Sequence, residues 1–202
     1  TKTFFQQATF QSIIGRLHPY TLTMIPFQIL SWREVRRLKS LPQVCHVAHD
    51  DLREFQLPVH GVWKKIRSSE ATPGLPSRLR DKSLPARTHV IGVIDPIATP
   101  PVAYLKSEVM QKGVIKNETL NFFLVARGDA VNAFNGSVRG KPVQLTACTD
   151  GALADARSET AWDARGQYKS GSIKADLEKV AISDEYWFSW KAFHPGSQLI
   201  RI

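Results

Sequence analysis

Short apolar runs, parted by turn-forming residues, dominate the chain from residue 88 onward. Five of them are "THVIGVID", "PVAYLK", "TLNFFLVARG", "VNAFNGS" and "PVQLTA", with Gly, Asn, Asp or Pro between them. Runs of this length between turn residues are typical of β-strands. The pattern therefore predicts a β-rich α+β fold with short strands, in which residues 88–147 build a sheet.

A first segment with helical spacing of apolar residues covers residues 31–39. Trp32 and Val35 fall on one face of this predicted helix, and the arginines lie outside that face. Ser31 and Glu34 stand three residues apart, which is the pattern of a capping box at a helix N-terminus. The segment therefore predicts an amphipathic helix whose tryptophan packs in a core.

A second predicted helix covers residues 183–193, with Ser183 as its N-cap. It contains most of the aromatic stretch "YWFSWKAFHP". Tyr186, Trp190 and Phe193 recur at helical spacing, with Trp187 beside them. Such a stripe is more typical of a helix that packs on a core than of a ligand platform, so we expect the tryptophans to be buried.

The N-terminal region alternates roughly between apolar and polar residues. Residues 1–30 predict short strands that are broken at Gly15 and at the His-Pro pair of residues 18–19. Residues 44–48 predict another strand. Residues 49–83 contain many prolines and charges and little periodicity, so they predict an irregular connection.

The two helical segments are related by an internal repeat. When Trp32 is aligned with Trp187, a shift of 155 residues, the order of apolar positions is preserved on both sides. The repeat predicts three parts: residues 1–48 as the C-terminal part of a first, incomplete copy, residues 49–83 as the connection, and residues 84–202 as a second, fuller copy.

The net charge of +9 bears on which kinds of partner the protein could bind. It permits binding to nucleic acid, anionic lipid or an acidic protein. The basic residues form three separate groups, near residues 33–39, 64–67 and 78–87, and none has the interleaved aromatics of a base-stacking surface. Nucleic acid is therefore not the favoured partner, and no apolar run reaches the roughly 20 residues that a membrane-spanning helix needs.

Candidate metal ligands and nucleophiles are few. The metal-capable side chains that stand out are Cys45, His46, His49 and His194. On a strand, Cys45 and His46 point to opposite faces, which is poor geometry for one ion. The sequence holds no zinc motif, phosphate-binding loop, dinucleotide fingerprint or nucleophile elbow. No cofactor is therefore predicted.

Three further chemical features stay open. Cys148 is a candidate thiol nucleophile, and a disulfide between Cys45 and Cys148 is neither predicted nor excluded. A run of carboxylates, Asp150, Asp155, Glu159 and Asp163, offers oxygen ligands for calcium, but its spacing does not match an EF-hand loop. Asp155 and Thr160 are better explained as residues that fix turns through side-chain to backbone hydrogen bonds. His194 is expected just beyond the second helix, where a protonated imidazole suits the helix dipole.

Three segments of the chain resemble a known family. They are "DKSLPARTHVIGV" at residues 81–93, "GALADARSETAW" at 151–162 and "YWFSWKAFHPGSQLI" at 186–200. Together they resemble the bacterial and archaeal family known as domain of unknown function 3179. The resemblance implies an extracytoplasmic protein of two tandem copies, each of which ends in a tryptophan-containing helix, a His-Pro pair and a strand. The family's name implies no activity.

The chain departs from the family at the residues that could carry chemistry. The resemblance implies a complete first copy with a Tyr-Cys-Pro motif on a strand, but the matching stretch of the second copy, residues 125–134, has no cysteine. Lys39 and Ser40 occupy the first-copy positions that His194 and Pro195 occupy in the second. Chemistry that rests on a family cysteine or on paired histidines is therefore not expected.

These observations favour a non-catalytic scaffold or accessory subunit of a larger extracytoplasmic assembly, with a basic surface for an acidic protein partner. The apolar residues of the half-copy need a surface to cover them. We therefore expect residues 1–48 to lie at an interface, either with the second copy and another subunit or within a larger complex. Two alternatives stay open: a metal-dependent or thiol enzyme that uses His194 or a cysteine, and a nucleic-acid-binding protein.

Overall fold

The computed structural model of the chain describes residues 2–6, 9–27, 32–36, 43, 61, 64–65, 68–70, 72, 75–76, 80–94, 98–148, 152–163 and 165–202. Several expectations lie outside these residues: the strand at 44–48, the Ser31 end of the capping box, Asp150 and the candidate ligands Cys45, His46 and His49.

The described residues form short strands and helical segments. In chain order these are β1 (Phe4–Phe5), β2 (Ser12–Ile14), α1 (Trp32–Val35), β3 (His89–Val93), β4 (Val102–Leu105), α2 (Lys106–Lys112), β5 (Val114–Asn117), β6 (Phe122–Arg127), β7 (Ala130–Asn135), β8 (Ser137–Val138), β9 (Lys141–Pro142), β10 (Leu145–Ala147), β11 (Leu153–Asp155), β12 (Thr160–Trp162), β13 (Tyr168–Ser170), β14 (Ile182–Tyr186), α3 (Trp187–Phe193) and β15 (Gln198–Ile200). The fold is β-rich, as predicted. No described helix has the length and apolar character required to cross a membrane.

A central four-stranded sheet has the order β14-β3-β4-β15. Strand β3 is antiparallel to both β14 and β4, whereas β15 runs parallel to β4. Its two inner strands form a local hairpin, and both outer strands come from the C-terminal end of the chain. The expectation of a sheet confined to residues 88–147 is therefore wrong, because the strands of that range are divided among several sheets and this one is completed from residues 182–200.

The central sheet is buried on both faces. On one face, Ile91, Val93 and Tyr104 pack with Val109 of α2 and with the β6–β7 hairpin. On the opposite face, Val90, Ala103 and Leu105 are covered by Trp187 and Trp190 of α3. Because successive residues of a strand point to opposite faces, one apolar run such as "HVIGV" supplies both cores.

The β6–β7 hairpin is also buried on both sides. Phe122 and Leu124 of β6 contact the central core, while Phe123 and Val125 contact a second core that includes Trp162. This second core lies against the sheet β10-β11-β12-β13. A continuously apolar strand such as "FFLVAR" is what a position between two cores requires.

Asp155 and Thr160 fix turns in this second sheet, as predicted. Oδ1 of Asp155 accepts a hydrogen bond from the backbone amide of Gln144 at 3.0 Å, and its Oδ2 accepts one from the backbone amide of Ser158 at 3.1 Å. Thr160 Oγ1 donates to the carbonyl of Ser158 and accepts from the amide of Ile173. Burial alone would raise the pKa of Asp155, but its hydrogen bonds outweigh that effect and hold the pKa below its usual value.

Helix α3 begins later than predicted. Residues 182–186 form strand β14, in which Ser183 pairs with Gly92 and Glu185 with Val90, so Ser183 is not an N-cap. The acidic residues after Ser183 resemble the first turn of a helix, but pairing with β3 satisfies the backbone of this segment instead. Tertiary context has overridden the local signal.

The tryptophans of α3 are buried as expected, whereas that of α1 is not. Trp187 and Trp190 are 2% and 0% exposed, but Trp32 is 63% exposed. The expectation that both predicted helices bury their tryptophans is therefore wrong for α1, of which the structure describes a single turn. Trp187 Nε1 also donates to Asp81 Oδ1 at 2.9 Å, which connects α3 to the segment before β3.

The Trp190 indole lies directly on the backbone of Gly92, with no room for a side chain between them. A Cβ atom built on Gly92 would overlap the six-membered ring of Trp190. Glycine is thus required at the centre of β3 because of this close approach, not because of an unusual backbone angle.

We expect Gly92→Ala to destabilise the fold by about 1–3 kcal/mol, because the added methyl group must displace a buried indole. Urea unfolding followed by tryptophan fluorescence measures the effect. Gly196→Ala is the matched control, since a Cβ there meets no atom within 4 Å. Equal stability of the two variants would contradict the close contact.

Truncation of the two tryptophans should have unequal effects. Trp190→Ala should lower the free energy of unfolding by about 3–5 kcal/mol, because it empties a core position. Trp32→Ala should change it by no more than about 0.5 kcal/mol, because most of that ring is already in solvent. Denaturant midpoints of the two variants test this, and a large loss on truncating Trp32 would contradict the exposed position.

Candidate functional site: a cleft beside His194

Helix α3 ends in a tight turn that begins with His194. The amide of His194 donates to the carbonyl of Trp190 at 2.8 Å, and the amide of Ser197 donates to the carbonyl of His194 at 3.0 Å. His194 therefore lies just beyond the helix, as predicted, and Pro195 after it cannot continue the helical hydrogen bonds.

Trp190 contacts two residues of this turn. Its Nε1 donates to Ser197 Oγ at 2.8 Å, and its ring lies 4.1 Å from the imidazole of His194, measured between centroids. Lys191 Nζ donates to the carbonyls of Pro195 and Ser197. The position of the His194 side chain is thus set by a fully buried residue.

Strand β14 places two further polar side chains on the same side of the sheet as α3. Ser183 and Glu185 are two residues apart, so they share a face, and Asp184 points to the other face. Ser183 Oγ donates to Glu185 Oε1 at 2.6 Å. The hydroxyl therefore bonds to the carboxylate, and no described hydrogen bond joins it to the imidazole of His194.

These polar groups line an open cleft of about 470 Å³ between the N-terminal segment and the β14–α3 unit. The apolar part of its lining consists of Phe10, Met24, Phe27, Ile94 and Phe193. Ligand pockets commonly have volumes of about 300–1,000 Å³ and a mostly apolar lining with a few polar groups. We therefore take this cleft as the candidate functional site.

Phe10 enters the lining through an unusual turn. Its φ angle of 59° lies in the left-handed region, where a residue with a side chain costs about 1–3 kcal/mol. The turn is held by hydrogen bonds from the Phe10 amide to the carbonyl of Gln6 and from the Leu22 amide to the carbonyl of Phe10. The N-terminal segment thus keeps the Phe10 side chain at the cleft, although a positive φ angle is unfavourable for any residue other than glycine.

Burial lowers the pKa of His194, and the negative charge of Glu185 opposes this effect without cancelling it. His194 is therefore neutral at pH 7. The expected protonated imidazole therefore does not form at pH 7, because half-burial outweighs the charge of Glu185.

A second polar cluster lies on the opposite face of β14. Asp184 accepts a hydrogen bond from Lys106 Nζ at 2.5 Å, and His89 Nδ1 lies 3.6 Å from its other oxygen. The His89 ring also packs edge-on against Tyr186, with centroids 4.4 Å apart. Lys106 is the first residue of α2, so the cluster connects α2 to the edge of the central sheet and has a structural explanation.

The sequence matches the model of one protein family over nearly its whole length. The sequence model of a family described as "Protein of unknown function (DUF3179)" matches residues 1–197. The chain belongs to the DUF3179 family. No curated protein and no solved structure matches it.

The DUF3179 match includes both sides of the cleft. Of the site residues expected from the sequence, His194 is the one that the described structure places at the cleft. His194 lies with Ser183 and Glu185. Cys148 is exposed and follows β10, in the other four-stranded sheet. Within the part of the chain that is described, no three His, Cys, Asp or Glu side chains are arranged to hold a metal ion.

The carboxylates near Cys148 have structural partners. Asp163 accepts hydrogen bonds from the backbone amides of Arg165 and Gln167 at 2.8 and 3.0 Å. Asp155 serves the turns described above. The two side chains thus fix the loops around β12, in the same manner as other turn-forming aspartates.

Sequence reasoning missed Ser183 and Glu185 as site residues because it placed them in the first turn of a helix. The signal that could have found them is alternation: in "ISDEY" every second residue shares a face, which separates Ser183 and Glu185 from Asp184. Phe10 and Met24 join the site only through the packing of distant segments, so no local pattern identifies them.

We expect His194 to make stability fall as the pH falls. Its pKa in the folded state lies below the ordinary value of about 6.5, so between these two values the unfolded chain binds more protons than the folded one. The stabilisation is complete above pH 6.5 and is lost as the pH falls through the folded-state value. Thermal unfolding of wild type and His194→Gln at pH 8 and pH 5 should show a smaller pH dependence for the variant. A larger pH dependence for the variant would contradict a neutral, half-buried imidazole.

Proposed function

We propose that this DUF3179 protein is a non-catalytic accessory subunit of an extracytoplasmic assembly and binds an acidic partner protein through its N-terminal segment. The extracytoplasmic location rests on the family resemblance. The observation that carries the proposal is the exposed apolar surface of residues 4–32.

Large apolar side chains are unevenly exposed in the described part of the chain. Two of those exposed, Phe193 and Ile202, lie at the C-terminal end. The other nine lie between residues 4 and 32: Phe4, Ile13, Ile14, Leu17, Tyr20, Leu22, Ile25, Phe27 and Trp32. A concentration of exposed apolar groups in one segment is typical of an interaction surface.

The same segment is cationic. Residues 1–33 include Lys2, Arg16 and Arg33 and contain no aspartate or glutamate. Lys2 and Arg16 are exposed. A surface that combines apolar groups with uncompensated positive charge complements an acidic protein surface with an apolar centre.

The geometry of β2 favours a protein partner over a lipid surface. Across the β1–β2 pair, Phe4 lies opposite Ile14 and Phe5 opposite Ser12, so Ile13 is the extra residue of a β-bulge. Ile13 and Ile14 are both largely exposed, at 60% and 65%. A bilayer surface can cover such side chains but has no strand that pairs with the backbone of the hairpin. A protein partner can cover the exposed side chains and can also pair with the edge of β1 that has no neighbour among the described strands.

The proposed repeat indicates what kind of partner surface would cover α1. If Trp32 in residues 1–48 is the counterpart of Trp187 in residues 84–202, the α1 turn needs a surface like the one that Val90 and Leu105 provide beneath α3. We propose that the partner supplies it, and that residues 49–83 connect the two copies.

A photo-crosslinking amino acid at Ile13 or Ile25 tests the proposal in cells of the source organism. We expect both positions to give the same cross-linked product, containing one acidic protein, because both side chains are exposed in the cationic segment. The control position is Lys141, which is exposed on β9 outside this segment. Mass spectrometry identifies the product, and cell fractionation reports its compartment.

Three results would overturn the proposal: no product at Ile13 or Ile25, the same products at Lys141, or cross-links to lipid alone. Binding of the purified partner should weaken with rising salt, because the cationic residues are exposed. The double variant Ile13→Ser/Ile25→Ser should lose the complex and keep its melting temperature, since neither side chain is in the core.

A further inference from the structure

The cleft beside His194 has a distinctive charge pattern for a protein of net charge +9. Among the described residues that line it, Glu185 and His194 are the only ionisable ones, and none is a lysine or arginine. A basic protein with a site for an anion would place a cation there. This cleft instead presents a carboxylate.

Glu185 is positioned to accept further hydrogen bonds. Ser183 donates to its Oε1, and among the described residues none donates to Oε2. The carboxylate is partly buried, so an ionic partner there is less screened than on the open surface. The imidazole of His194 adds a second acceptor, because a neutral ring has one unprotonated nitrogen.

The remaining lining suits an apolar group that carries a positive charge. Phe10, Phe27 and Phe193 offer aromatic rings, and Met24 and Ile94 add aliphatic surface. Aromatic faces attract organic cations as well as apolar groups. The strained turn at Phe10 keeps one of these rings in the lining although its backbone conformation disfavours a side chain.

We propose that this cleft binds a small organic ammonium ion with an aromatic or aliphatic group. The ammonium N–H groups donate to Glu185 Oε2 and to the free nitrogen of His194, while the apolar group packs among Phe10, Phe27 and Phe193. The proposal does not rest on the partner protein, because the described lining comes from this chain alone.

A pair of probes on the wild-type protein tests the role of charge. 2-Phenylethylamine is protonated at pH 7, and 2-phenylethanol has the same shape without the charge. Titration followed by amide NMR shifts should show saturable binding of the amine at the amides of Ser183, Glu185 and His194. The alcohol should bind about tenfold more weakly or worse, because it lacks the ion pair.

Glu185→Gln is the decisive variant, since it removes the charge and retains the shape of the side chain. Its affinity for the amine should fall about tenfold, to that of the alcohol. Glu178→Gln, an exposed glutamate outside the cleft lining, is the matched control and should bind as wild type does.

Three outcomes would overturn the proposal. They are no saturable shift with the amine, equal binding of amine and alcohol, and shifts that map away from the cleft. If Glu185→Gln lowers the melting temperature strongly, the comparison of the two probes on wild type still decides, because it needs no substitution.

Discussion

The contact between the Trp190 indole and the Gly92 backbone fixes the position of α3 on the central sheet. Gly92 has no side chain, so the ring lies directly on β3, and its N–H group is satisfied by Ser197 across the following turn. The same ring also packs against the imidazole of His194, with centroids 4.1 Å apart. One fully buried residue thus sets the packing of a helix, the path of the chain after it and the burial that lowers the pKa of His194.

Strand β14 connects the core to both polar clusters. Its backbone completes the central sheet, while its side chains point alternately toward α3 and toward α2. Ser183 and Glu185 therefore lie in the cleft, and Asp184 binds Lys106 on the opposite face. An edge strand with charged side chains on both faces is also a poor template for pairing with further strands, which protects the sheet at this end.

The sequence predicted the class of fold and the buried tryptophans of α3 because these depend on local apolar periodicity. Each of the five apolar runs after residue 88 contains a strand. Sheet membership could not be predicted in the same way, since β14 and β15 pair with strands about 90 residues earlier in the chain. The start of α3 was misplaced because a serine followed by acidic residues is compatible with both a helix start and an alternating strand. The cleft was beyond local reasoning, because one of its walls comes from residues 6–27 and the other from residues 94 and 183–194.

The pairing of the central sheet also sets the order in which the chain can fold during synthesis. The β3–β4 hairpin leaves the ribosome early, but its outer neighbours β14 and β15 follow only after residues 106–181 have been made. At roughly 5–20 residues per second, that interval lasts about 4–15 s. Throughout it, both edges of an apolar hairpin are unpaired and its tryptophan cover is absent. The nascent chain therefore passes through a period in which two strands are open to wrong partners, and in which a chaperone that shields β-edges has the most to contribute.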